Sequence, residues 1–225
     1  MVSALWTAKG GAGATVTAAC LALVLARDNP EGSLVIDLGG DLPAVFGLPD
    51  SDRHGVTDWL AVDSAPPADA LARLEIPVAT GLSLVARGTA ASWPRHQVDL
   101  LTALLAEESR AVVIDVGLIG PEYDESPDSD LRLRLAGSAE ESLLVTRPCY
   151  LALRRALRTR LRASGLIVIA EKGRALDEVD VEDVLDAQVR ARIDADPAVA
   201  RAVDAGLLSS RLPRSIHRAL REVHR

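Results

Sequence analysis

Residues 3–26 read "SALWTAKGGAGATVTAACLALVLA": a short apolar run, a glycine-rich turn, and a segment that is apolar on nearly every side. A helix with no polar face has to be covered by other layers. The chain must therefore build a layered core around this unit. A strand, a glycine turn and a helix N-terminus in that order also make an anion site. Glycines let backbone N–H groups approach the anion, and the helix end contributes about half a positive charge.

Six further short apolar runs follow, at 33–37, 82–86, 111–116, 142–146, 166–170 and 188–193, and with 3–8 they read as strands buried on both faces. Helix patterns lie between and after them at 14–28, 95–107, 150–163, 178–186, 197–205 and 214–224. The alternation predicts one α/β domain over 1–225, with a mainly parallel central sheet flanked by helices. The segment 50–70 is rich in Asp, Ser and Pro and is expected to hold one short helix at 56–60. The acidic, proline-bearing stretch 121–130 reads as an exposed loop.

The turn nearly matches the phosphate-loop pattern G-x-x-x-x-G-K-[ST], but Ala14 stands where the lysine belongs, ahead of Thr15. Gly10, Gly11, Ala12, Gly13, Ala14, Thr15 and Val16 are the candidate nucleotide cradle. Thr15 supplies a hydroxyl suited to magnesium. Asp37 and Asp115 each end a β-branched run, so in a parallel sheet both reach the carboxyl edge, where such folds bind ligands. They are the candidate magnesium and water-positioning carboxylates. Lys9 lies on the other side of the glycines and is one of only two lysines, the other being Lys172. In so arginine-rich a chain, a lysine in the loop suggests a role for a compact ammonium.

Cys20 and Cys149 have no partner spacing, which argues against a disulfide framework or a thiolate metal site. No basic leader is present, and the longest apolar run is about half the ~18 residues of a membrane span. A cytoplasmic location is expected. A net charge of −7 argues against a globally basic nucleic-acid binder, although arginines gather at 153–162 and 211–225. In the tail, Ile216, Leu220 and Val223 share one face opposite Arg214, Arg218, Arg221 and Arg225. That face is too thin, and lacks Trp or Phe, for a membrane-surface helix, so a final helix packed on the domain is expected.

The loop Lys9-Gly10-Gly11-Ala12-Gly13-Ala14-Thr15 resembles the deviant phosphate loop K-G-G-x-G-K-[ST] of the MinD/ParA group of P-loop ATPases. The resemblance extends along most of the chain. "VIDLGGDLPAVFGLPD" (35–50) is similar to that group's switch I strand and loop, and "GVTDWL" with "GLSLVARG" (81–88) to its short helix and next strand. "AVVIDVG" (111–117) is similar to its Walker B and switch II segment. "SLLVTRPCYLALRRALR" resembles its strand–Pro–helix unit and adds Pro148 to the nucleotide set. "DADPAVARAVDAGLL" (194–208) resembles its base-binding end.

The resemblance implies ATP and Mg2+ as cofactors and a homodimer in which Lys9 reaches the partner's phosphates. It also implies a protein cargo or adaptor, with non-specific DNA as a further possible partner. Three departures bear on turnover and base choice. Ala14 lacks the ammonium, Gly39 stands where a second switch I aspartate is expected (Asp41 follows two residues later), and Ala170-Glu171-Lys172 replaces an adenine-reading asparagine. The Lys-to-Ala change resembles the CpaE/TadZ branch of pilus-locating proteins, which usually carries an N-terminal receiver-like domain that these residues lack. Slow hydrolysis at most is expected. Three readings stay open: an ATP-held dimer switch, a nucleotide-independent pilus or secretion scaffold, and a DNA-partitioning ATPase.

Overall fold

The structure, a computed structural model of the 225-residue chain, describes residues 1–49, 54–64, 66–67, 69–120 and 126–223. In chain order the elements are β1 (Val2–Thr7), α1 (Ala14–Asp28), β2 (Ser33–Asp37), α2 (Leu42–Val45), α3 (Val56–Leu60), β3 (Ile76–Ala79), β4 (Leu82–Val85), α4 (Arg95–Ala106) and β5 (Ala111–Leu118). Then come α5 (Pro127–Ser138), β6 (Glu141–Thr146), α6 (Tyr150–Ala156), β7 (Gly165–Ala170), α7 (Glu178–Leu185), β8 (Val189–Asp194), α8 (Pro197–Asp204) and α9 (Arg214–Leu220). The strands form one eight-stranded sheet in the order β3-β4-β2-β5-β1-β6-β7-β8. Every pairing is parallel except β3 with β4.

Strand residues alternate between two cores, as a period of two requires. Leu5, Val35, Val113, Leu143 and Ile167 face the layer holding α1, α2, α8 and α9. Ala4, Trp6, Leu34, Ile36, Val112, Ile114, Leu144 and Leu166 face α3 to α7. With few aromatic residues, both cores are built mostly of aliphatic side chains.

Seven strands, and helix α1 to the residue, fall where the sequence patterns put them. The differences have local causes. Strand β3 has no counterpart among the expected strands: it is four residues long, contains Pro77, and sits at the antiparallel edge, where a missing N–H is tolerated. The expected loop at 121–130 is corrected from Ser126 onward. The Ser126 hydroxyl caps α5 by accepting from the Ser129 N–H at 3.2 Å, Pro127 takes the first helical position, and Asp128 and Asp130 lie in the first turn. Proline and acids there are helix-start signals. Residues 121–125 lie outside the described residues. The helix expected over 150–163 stops at Ala156, because buried Thr159 turns its hydroxyl onto the Ala156 (2.8 Å) and Leu161 (3.0 Å) carbonyls. The short helix in 50–70 is present as α3. Asp50–Arg53, Ala65 and Ala68 lie outside the described residues.

Helix α9 ends at Leu220, but Ile216, Leu220 and Val223 are all buried in the core on the α1 side. Asp28 of α1 pairs with Arg221 at 2.7 Å. The tail is therefore a packed terminal element, as its thin apolar face suggests. His224 and Arg225 lie outside the described residues.

Candidate functional site

The glycine loop joins the central strand β1 to α1. The Thr7 hydroxyl fastens its start, donating to the Lys9 carbonyl at 3.0 Å and accepting the Lys9 N–H at 3.3 Å. Gly11 (φ +76°) and Gly13 (φ +96°) occupy the left-handed region that glycine alone enters freely. No heavy atom lies within 4 Å of where a Cβ would stand on Gly10, Gly11 or Gly13, so the loop faces open space. Gly13 is the N-cap of α1 and has no side chain to satisfy the first-turn N–H groups, nor is there an acidic residue in that turn. Orphan N–H groups at an open helix end suit an anion. Ala14 is buried in the core on the α1 side, while Lys9, Thr15 and Val16 are half-buried. The Lys9 ammonium makes no ion pair among the described residues.

Asp37 and Asp115 are adjacent in the β2–β5 register, and both are fully buried. The Asp37 carboxylate accepts from Gly40 N at 2.6 Å and Leu42 N at 3.1 Å, and so shapes the turn that follows β2. Burial still pushes its pKa up. Burial, and then the charge of Asp37, pushes Asp115 up to about 7, against the pull of the Thr15 hydroxyl, the Gly117 N–H and the Arg132 charge. Asp115 Oδ1 accepts from Gly117 N at 3.2 Å, whereas Oδ2 has no hydrogen-bond partner among the described residues. A buried, orphaned carboxylate oxygen beside a second carboxylate and a hydroxyl fits a hard divalent cation. No group of three or more His, Cys, Asp or Glu side chains that could hold a metal ion occurs among the described residues. A cation here would need oxygens from a ligand to complete its shell.

Gly39 lies directly over this pair. A Cβ there would stand 3.0 Å from Asp115 Oδ2 and 3.5 Å from Asp37 Oδ1. An aspartate at 39 would add a third carboxylate in tight contact with two. Asp41 is exposed, and its charge reaches Asp37.

Sequence reasoning missed a cluster beside these strand ends. Arg87, just after β4, donates to the Leu38 carbonyl and to Asp128. Arg132 on α5 donates to the carbonyls of Leu38 and Val116 and, through Nε, to Asp128 at 2.8 Å. The i, i+4 spacing of Asp128 and Arg132 was the only signal for it, and it is legible only once 127–138 is known to be a helix.

A cavity of about 590 Å³ opens beside the loop. Val16, Cys20, Ile169, Ile193, Val199 and Ile216 give it apolar walls. Arg147 lines it too, pairing through a terminal nitrogen with Glu171 while its buried Nε has no hydrogen-bond partner among the described residues. Pro148, next in the chain, is buried and does not line the cavity. Burial raises the Cys20 thiol to about 12, so it is an inert wall. Elsewhere, Arg154, Arg155, Arg158 and Arg162 are exposed on and after α6, where Tyr150, Leu151 and Leu157 are exposed as well. No helix among the described residues is long and apolar enough to cross a membrane.

No family model and no curated protein matches the chain. Solved structures do match. A ParA family ATPase from Chlorobium tepidum TLS superposes with a TM-score of 0.73 at 19% identity, over 97% of this chain and 95% of that one. The septum site-determining protein MinD from Pyrococcus horikoshii OT3, complexed with Mg-ADP, gives 0.69 at 19%, over 99% and 94%. The ATP complex of a Cyanothece McdA variant gives 0.67 at 16%, over 99% and 95%. The structural neighbours are thus MinD/ParA-type ATPases, and at these identities the likeness establishes the fold: a mostly parallel sheet between helices, with the glycine loop on its central strand.

Proposed function

We propose that the chain is a positioning or partitioning protein of MinD/ParA type that binds ATP and magnesium, closes into a dimer on binding, and turns the nucleotide over slowly at most. The observation that carries this reading is the open glycine loop at the uncapped end of α1, set against the buried Asp37–Asp115 pair. A folded core tolerates two adjacent buried carboxylates, one with an orphan oxygen, poorly. A cation brought in with a polyphosphate would relieve both. Among the neighbours, MinD was solved with Mg-ADP and a McdA variant with ATP, which supports nucleotide binding by this chain.

In this reading the N–H groups of Gly11 to Thr15 hold the β-phosphate, with Gly10 and Val16 at the rims of the cradle. Thr15, Asp37 and Asp115 hold magnesium, which when bound would neutralise charge on the phosphoryl oxygens. The cavity beside Arg147 and Pro148 seats the base. Ala14 contributes no ammonium, a loss of about 1.5–3 kcal/mol in the ground state, or one to two decades of affinity. The transition state gathers more charge and loses more. Gly39 offers no carboxylate to orient an attacking water. The half-buried Lys9, with no ion pair among the described residues, is free to enter a partner's site. The loop chemistry resembles the CpaE/TadZ branch, and the cargo would be a protein adaptor in the cytoplasm.

Calorimetry with Mg-ATP beside sizing chromatography tests this. Micromolar binding with a monomer-to-dimer shift is expected. No binding at millimolar ATP with unchanged size would leave a nucleotide-independent scaffold. A second reading, DNA partitioning, draws on the exposed arginines Arg154, Arg155, Arg158 and Arg162. It requires a sequence-blind gel shift that weakens steeply with salt.

A further inference from the structure

Leu38 and Val116 directly follow the two buried aspartates. The Leu38 backbone is already joined to that of Asp115, donating from Leu38 N to the Asp115 carbonyl at 2.9 Å. Beyond that bond, the carbonyls of Leu38 and Val116 turn toward a single guanidinium. Arg132 donates to both, and its Nε rests on Asp128. Arg87 reaches the Leu38 carbonyl alone and leans on the same Asp128, with its Nη2 at 2.6 Å from the carboxylate. Arg132 is mostly buried, at 15% exposure, so these bonds are little competed by water. A planar guanidinium with donors on two terminal nitrogens can bridge two acceptors while held through the third. An ammonium cannot span the same three groups.

We propose that Arg132 is a positioning residue that locks the two aspartate-bearing strand ends into one unit, so that an event at either carboxylate is transmitted to the turn after the other. Arg87 is a one-sided brace for the first turn only. The response to nucleotide rests on the reading above; the lock itself does not.

The experiment is amide exchange by mass spectrometry on the full chain, with and without Mg-ATP, in Arg132→Gln, Arg132→Lys and Arg87→Gln, each checked for folding by its Tm. The informative amides are those of Gly40 and Leu42, held by Asp37, and of Gly117, held by Asp115. Without nucleotide, Arg132→Gln and Arg132→Lys should each speed exchange at both turns by about tenfold, the loss of one charge-assisted bond. Arg87→Gln should speed it only at Gly40 and Leu42. With Mg-ATP, wild type should protect both turns together. The Arg132 variants should protect them separately and lose about tenfold in ATP-over-ADP preference, a ratio that general destabilisation would leave alone. Lysine restoring joint behaviour, or Arg132→Gln affecting one turn only, overturns the proposal. If nucleotide changes nothing in wild type, the ATP reading fails, and the nucleotide-free comparison still decides the lock.

Discussion

Asp115 is the residue whose surroundings most plainly disagree with its ordinary chemistry. Its folded pKa, pushed up to about 7 from 3.8, means that the native state holds a proton which the unfolded state releases at lower pH. Stability should therefore fall as pH rises between those values, with the penalty complete above about 7. Asp37 is shifted in the same direction. Asp115→Asn is expected to stabilise the magnesium-free protein at pH 8 by roughly 2–4 kcal/mol, a Tm gain of ~4–12 °C. Near pH 4 the gain should vanish, and calorimetric scans at the two pH values check both halves. Ala14 invites the reverse experiment. Ala14→Lys should tighten ATP binding ten- to a hundredfold by titration calorimetry, because the cradle around it is otherwise open. Equal affinities would mean that a lysine starting from this buried position cannot reach the phosphates. Thr15, Asp37 and Asp115 were each legible in the sequence as candidates, since strand ends and glycine turns are local signals; that the two aspartates are neighbours was not. Arg132 was not: its partners are backbone carbonyls 16 and 94 residues away.

Elements are legible where their signals are periodic and poorly so where they end. Helix α1 matches its pattern to the residue because nearly every position is apolar. The start of helix α5 is ambiguous because its opening residues, Ser126, Pro127 and Asp128, read equally as loop and as cap. Helix α6 is shorter than its pattern because nothing local says that Thr159 will be buried and turned back on the chain. Helix α9 tests whether packing or surface chemistry governs the tail. Leu220 is fully buried on the α1 side, so Leu220→Ala should cost about 2–5 kcal/mol and lower Tm by roughly 5–15 °C. Wild type should stay in the supernatant when anionic vesicles are sedimented, since the apolar face is already occupied.

For the whole molecule, the question is whether the open loop closes against a second copy. Lys9 is a cation at its mouth with no ion pair among the described residues, and Tyr150, Leu151, Leu157 and Leu118 are apolar side chains left exposed. Lys9→Ala should abolish an ATP-dependent shift to dimer on sizing columns while leaving ATP binding by the monomer within about threefold. A shift that survives the substitution would assign the dimer to the apolar side chains alone. The sequence by itself determined the parallel α/β architecture, the glycine loop, the absence of its lysine, and the two aspartates at strand ends. All of these follow from hydrophobic period and from residue types within a few positions of one another. Tertiary structure alone decided that β2 and β5 are neighbours, so that the two aspartates share one buried site under Gly39. It also placed Arg87, Asp128 and Arg132 at that site and made the tail part of the core. Those facts depend on which strands pair and on which carbonyls are left facing a guanidinium, and residues far apart in the chain carry no local mark of either.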